Sequence, residues 1–489
     1  MTIEWAIALA YLLGCIGIGV AASRRVLQSR EEYWVAGRRI GTAANSLAIM
    51  AALASGGSII GVMGLTYAQG IPATLALFTG AIVGFPLASI LVAEPLRRFG
   101  RFTISDFLRY RYPHPIVAWL VPLLIVVSFT IYIVAQMKAA GITAAVLLGL
   151  DYEVALTLAT LVFVLYVSIG GMLAVTWTDV FQGALMLLVV VGTAAGLVWQ
   201  FGSPAAILSS AVAQAPEIAT LRDQPLGSYL GSFVIWATAI PIIPHIVMRV
   251  FTAKDPRSAR VALNLSMLLY SSVILAAVFA IAPVGRIQFP GLEDPDLVFL
   301  RLMETEFPPL FRGLAVAAVL AAVMSTTDAL LLACSSAIAH DLLGQTLNWT
   351  FTPRGARWIV IGSAWAVGGF AMVLAYSPPA LISEFYTAAI GLLTSGLFVP
   401  TIAGLWWRRA NLVGGVAALV VGVAVYLTAH FAPGTPPLAA ILYALPASAA
   451  AMWVGGRVGA PDRPQLLNEI ERLHQRPLEQ QTVLPANRQ

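Results

Sequence analysis

The chain has 489 residues, of which 59% are hydrophobic and only 10% charged, with 28 Lys and Arg against 23 Asp and Glu. Soluble domains carry roughly a quarter charged residues, so composition excludes a soluble enzyme and indicates a protein built largely inside a bilayer. Cys15 and Cys334, the two cysteines, both lie in apolar runs and read as small packing residues, not a disulfide framework.

A spanning helix needs about 20 predominantly apolar residues. The first such run, 3–23, follows "MTIEW", which lacks a basic segment, so a retained helix is expected in place of a cleaved signal. After the basic stretch "SRRVLQSREEYWVAGRR" comes 44–68, interrupted by "ASGGS" at 54–58. Runs 73–96, 116–149, 153–173 and 179–201 complete a first group of five over 44–201. The loop 202–225 leads to 226–249, whose Pro241 and Pro244 each remove a backbone donor and break the helix. Runs 259–285, 309–340, 357–377 and 382–406 close a second group of five over 226–406. Two further helices, 411–431 and 436–456, fill 407–459, and a polar tail with one short amphipathic helix occupies 460–489. The segment 286–308 is acidic and Pro-rich, a solvated re-entrant stretch or short helical cap, and "GCIGIG" at 14–19 is helix packing with no strand before it.

Thirteen spans are thus expected. Alternate loops hold 23 of the 28 cations, Arg249 counted among them, which by the positive-inside rule places the N-terminus outside and the C-terminus inside. This positive charge reads as topology, and no basic and aromatic platform for nucleic acid stands apart from it.

Interrupted helices five apart are the mark of a five-plus-five inverted repeat, and unwound backbone survives in a bilayer only where it lines a cavity or binds something. Gly and Pro are also common in membrane helices generally, so the spacing alone carries only part of this reading. The run 309–340 adds a face of Ala322, Ser325, Ala329 and Ser336, flanked by Thr326 and Asp328. Hydroxyls together with carbonyls of an unwound helix suit a small monovalent cation such as sodium, whereas a divalent metal would want more carboxylates or imidazoles. A bland alternative for the hydroxyls is bonding back to their own helix. An aspartate at a helix centre costs about 2.5–3.5 kcal/mol on an insertion scale, so Asp328 faces a cavity or a partner.

"EEYWVAGRRIG", "GGMLAVTWTDVFQGALML", "PHIVMRVFTAKDPRSAR" and "AAVMSTTDALLLACSSAIAHDL" together resemble the sodium:solute symporter family over roughly residues 3–456. The resemblance implies an all-α polytopic membrane protein of LeuT type, with one helix before the ten-helix core, two after it, and sodium-driven uptake by alternating access. It implies a sodium site of the carbonyls of Ala51, Ala54 and Ala322 with the hydroxyls of Ser325 and Thr326. Asp179 matches a position some members use for a second sodium or its exit. The chain departs from those members at Asp328 and Ala329, where they carry hydroxyls. Asp179 and Asp328 therefore stand as a second cation site, a coupling pair, or a structural contact.

The solute is expected between the breaks, near Ser55, Gly56 and Gly57, with Tyr132 and Trp236 at family aromatic positions and Gln136 one turn beyond Tyr132. Tyr386 and Thr387 are expected along the inner route. Lys138 either attracts an anion or snorkels outward, the latter favoured, and no buried arginine is expected as a clamp. The motifs lie nearest the acetate and monocarboxylate permease branch, which implies a short monocarboxylate. Proline, pantothenate or another small polar solute, and a proton-coupled carrier, are the alternatives. A sensor would normally carry a sizeable cytosolic signalling domain, and a channel would need a continuous polar pore. No nucleophile, base and orienter combination for an enzyme emerges. A bacterial-type inner membrane location, with sodium, lipid and a small solute as partners and no obligate protein partner, completes the expectation.

Overall fold

The structure is a computed structural model that describes residues 2–26, 35–221, 224–377 and 381–474. Most of the first basic loop, Arg222 and the tail beyond His474 lie outside the described residues. Among the described residues the chain is helical throughout, apart from one isolated bridge between Ile40 and Ala253.

Among the described residues, eleven helices are long and apolar enough to span a bilayer. A twelfth span is available if the pair Thr42–Leu53 and Gly57–Gln69, bent by 65°, counts as one. The difference from the expected thirteen lies at residues 153–201, where two predicted runs form one helix, Tyr152–Phe201. At 1.5 Å per residue its fifty residues would measure about 75 Å if straight, over twice the hydrocarbon thickness. Both its ends nevertheless meet the same end of the bundle. Tyr152 donates to Ala375 O (2.8 Å), and Gly196 packs on Phe307 beside the start of helix Pro309–Ser336. Thr176 and Asp179, from its middle, contact Arg249 near the opposite end. The chain therefore reverses within this helix.

The loops sort into two ends. At one, Arg97 donates to Ala253 O (2.6 Å), Arg38 to Gly100 O (2.5 Å), Arg109 to Gln345 O (2.5 Å), and Arg111 pairs with Asp462. At the other, Arg312 pairs with Glu4 (2.9 Å), Arg286 with Glu217 (2.5 Å) and Trp5 donates to Leu148 O (3.2 Å). The cation-rich segments gather at the first end, called inner below, and the other end is called outer. The tail helix Pro464–Arg472 docks at the inner end through Tyr110–Glu469 and Arg408–Glu471 contacts.

The centre of the bundle is the span Pro309–Thr346, whose most apolar eighteen-residue stretch is 94% buried, against 28% for that of Ile3–Ala21 and 33% for that of Gly355–Ala375. Its small residues explain this, because Ala and Ser let neighbouring backbones approach closely. Two predicted loops prove to be structured. The segment 202–225 contains helix Pro204–Gln214, and 286–308 contains helix Val298–Glu306, which buries Val298, Phe299, Leu300, Leu302 and Met303. The second is thus a packed cap and not a solvated one.

Candidate functional site

The broken helix comes first. Helix Thr42–Leu53 stops at Ala54, whose ψ of 71° leaves helical geometry and whose N–H still donates to Met50 O (2.7 Å). The sequence resumes in a π-type turn at Gly57–Gly61 before helix Val62–Gln69. Side chains stabilise the break. Ser58 Oγ donates to Leu53 O (3.0 Å) and lies 3.2 Å from Tyr270 Oη, while Gln136 Oε1 accepts from Gly56 N (2.9 Å). Glycine is needed here because a Cβ on Gly57 would sit 2.3 Å from the Tyr386 ring, and one on Gly56 2.7 Å from Ala139.

Helix Pro309–Ser336 meets this break. Ser325 Oγ donates to Ala51 O (2.9 Å) and lies 3.2 Å from Ala322 O, while Thr326 Oγ1 donates to Ala52 O (3.2 Å). Both hydroxyls therefore cross 274 residues of sequence besides the local bond that the bland alternative foresaw. Ala51, Ala54, Ala322, Ser325 and Thr326 are fully buried. Neutral hard oxygens gathered in this way fit an alkali cation, which would take the place of the hydroxyl protons between these oxygens.

The second break is milder. Helix Leu226–Ala239 gives way at residues 240–243 to helix Pro244–Thr252, so Pro241 lies in the interruption and Pro244 opens the second half. The two halves still count as one span without a bend above 40°. Trp236 Nε1 donates to Thr387 Oγ1 (3.2 Å), and the Trp236 ring is edge-on to Tyr386 (5.7 Å), which stacks on Tyr132 (5.1 Å). The Tyr132 hydroxyl lies beside Ser55. Gly56, Gly57, Ser55, Tyr132, Gln136, Trp236 and Tyr386 thus converge on one aromatic-walled centre. A shallow pocket lined by Leu65, Gln69, Ser228, Ser232, Ser383 and Thr387 adjoins it.

Several expectations are corrected. Tyr386 and Thr387 belong to the outer half of helix Ile382–Trp406, because Gln69 donates to Glu384 Oε1 (2.5 Å) at the outer end and Trp406 Nε1 reaches Leu91 O at the inner one. Lys138 does not snorkel. It is buried and pairs with Asp296 (2.8 Å). Asp296 also accepts from Ile382 N (3.3 Å) and abuts Gly64, where a Cβ would come within 2.3 Å of it. Burial, outweighing the attraction of Lys138, pushes the Asp296 carboxyl up to about 6.

Arg249 is the main residue missed. Counted above as a loop cation, it is buried and pairs with Asp179, with Thr176 accepting a further hydrogen bond and Asn45 Nδ2 donating to its carbonyl (3.0 Å). The signal for it was its place in "PHIVMRVF", still within the apolar run. Asp328 lies close enough to feel the charges of both Asp179 and Arg249, and among the described residues neither of its oxygens has a hydrogen-bond partner.

A bundle of spanning helices, with a bent helix and a facing hydroxyl-bearing helix at its centre, is the architecture of an ion-coupled carrier. The chain matches the model of the Sodium:solute symporter family over residues 33–422 and belongs to that family. It is 27% identical over 439 residues to the osmoregulated proline transporter OpuE of Bacillus subtilis (strain 168), covering 87% of this chain and 89% of that protein. Its fold is similar to that of a Na+-coupled sialic acid symporter in a substrate-bound outward-open state, with TM-score 0.81, 19% identity, and 95% and 99% of the two chains covered. It is also similar to Mhp1, a nucleobase-cation-symport-1 family transporter, in a closed conformation with bromovinylhydantoin bound (TM-score 0.57, 17% identity, 91% and 99% covered). The chain is therefore a multi-pass membrane protein that couples movement of a small solute to sodium. The relative is a proline transporter and gives no specific backing to the acetate branch.

Proposed function

We propose that the protein imports a small carboxylate-bearing solute with sodium by alternating access, a short monocarboxylate such as acetate being the first reading. The observation that carries the coupling is the contact of Ser325 and Thr326 with the carbonyls of Ala51 and Ala52. Sodium bound by Ala51, Ala54, Ala322, Ser325 and Thr326 would hold the broken helix against helix Pro309–Ser336, and its departure inward would free them. Asp179 and Asp328 remain candidates for a second coupling site, with Arg249 already supplying one positive charge to Asp179.

Support for thirteen passes in a five-plus-five LeuT-type arrangement, with 44–201 and 226–406 as the repeats, comes from the reversal within Tyr152–Phe201 and the two helix breaks. The gathering of cations at one end supports an N-terminus outside and a C-terminus inside, in a bacterial-type inner membrane. Proline is the second reading, favoured by the proline-transporting relative and by three aromatic rings suited to an apolar ring or an ammonium. Proteoliposomes separate these readings. Labelled acetate, proline and pantothenate are offered under an inward sodium gradient, and under a pH gradient without sodium. Acetate or proline uptake that needs sodium supports the proposal, and uptake driven by the pH gradient alone sinks it.

A further inference from the structure

His245 is 1% exposed, and neither ring nitrogen has a hydrogen-bond partner among the described residues. Leaving such a group unsatisfied is costly, so an imidazole kept for packing alone would be expected to bond a carbonyl nearby. Its ring instead lies edge-on to Phe129 at 5.4 Å. On helix Pro115–Leu148, Ser128, Phe129, Tyr132 and Gln136 occupy an arc of about 100°. Two members of that arc, Ser128 Oγ and Gln136 Nε2, are likewise buried without partners among the described residues. The arc thus runs from the Gly56 contact of Gln136, past the ring of Tyr132, to Phe129 against the imidazole, with Ser128 its neighbour in sequence.

His245 is also the second residue of helix Pro244–Thr252, whose positive N-terminal end faces the interruption at 240–243. The next cation along, Arg249, is held by Asp179. We propose that His245, at the start of this half-helix, and Ser128, next to the Phe129 that packs on it, form a second and inner resting place that receives the solute's carboxylate between the aromatic centre and the inner end. A neutral imidazole N–H, a hydroxyl and a helix N-terminus hold a carboxylate by hydrogen bonds without a neutralising charge, so they can release it again. This rests on the reading of a carboxylate-bearing solute given above.

The test uses the full chain in proteoliposomes, with labelled acetate and labelled proline as probes and the half-saturating concentration measured separately from each face. In His245→Ala the value at the inner face should rise about tenfold or more, with the value at the outer face within twofold of wild type. His245→Asn, which keeps a donor, should recover part of the loss, and Ser128→Ala should show a smaller inner-face effect. An inner-face value unchanged from wild type in His245→Ala, or an equal rise at both faces, overturns the inner resting place. Wild-type protein that carries none of acetate, proline and pantothenate overturns the carboxylate reading itself, and is seen before any variant is made.

Discussion

Ser325 and Thr326 carry their hydroxyls to the carbonyls of Ala51 and Ala52 across the core, so Ser325→Ala and Thr326→Ala each remove one oxygen from the proposed sodium cradle. The sodium concentration for half-maximal uptake should rise about tenfold for either, with the solute affinity at saturating sodium little changed. Uptake titrated against sodium checks this, and an unchanged sodium dependence removes both residues from the site. Trp236 belongs to a different part of the centre, bonded to Thr387 and edge-on to Tyr386. Trp236→Ala should therefore weaken solute binding more than sodium binding. The hydroxyl face was legible in the sequence because oxygen-bearing residues are conspicuous in an apolar run. The pairing of Arg249 with Asp179 was not, because a cation at the end of a span satisfies the positive-inside rule as well as a buried partner does.

A short turn of the outer segment, Pro295–Leu297, fixes three helices through one carboxylate. Asp296 pairs with Lys138 on helix Pro115–Leu148, accepts from the first amide of helix Ile382–Trp406 and leaves room only for glycine at position 64. Removing one partner of a buried pair costs about 3–5 kcal/mol when the other charge is left alone. The two halves of this pair should differ. Asp296→Asn takes the buried carboxylate away from the Lys138 ammonium, whereas Lys138→Met leaves a carboxyl already pushed up to about 6, which takes up a proton at modest cost. Thermal unfolding of the purified variants at pH 6 should therefore show Asp296→Asn lower than Lys138→Met, and equal melting temperatures would contradict it. At this scale the length of the apolar runs located all the expected spans but 153–173, which is joined into helix Tyr152–Phe201, and Gly and Pro located the breaks. A short helical cap was one of the two readings of 286–308, but its burial was not legible, because an acidic, Pro-rich composition reads as solvated when the lysine that receives it lies 158 residues away.

Across the whole molecule, the sorting of cations among alternate loops anticipated which segments share an end, yet not how that end is held. Asp106 is one of its hubs. It closes a capping box with Thr103, accepts from Phe102 N (3.1 Å) and Gln345 Nε2 (2.6 Å), and lies 3.2 Å from His340 Nε2, which links helix Ile104–Arg111 to the end of the central span. Burial alone would raise this carboxyl, but His340, Gln345 and the backbone amides outweigh it and hold it down at about 2, against an ordinary 3.8. Because the folded value lies below the unfolded one, the stabilisation is complete above about pH 4 and is lost as pH falls toward 2. Nearly two pH units correspond to about 2 kcal/mol. Asp106→Asn keeps the shape of the side chain but not the charge, so purified wild type should unfold at a higher temperature than the variant at pH 6. That advantage should shrink through pH 4 to 3, where Asp106 of the unfolded chain takes up a proton while the folded carboxylate still holds its charge. A gap that stays constant over this range would mean that Asp106 holds the inner end by geometry alone, and that the charge-assisted bonds to His340 and Gln345 contribute nothing to joining the two elements.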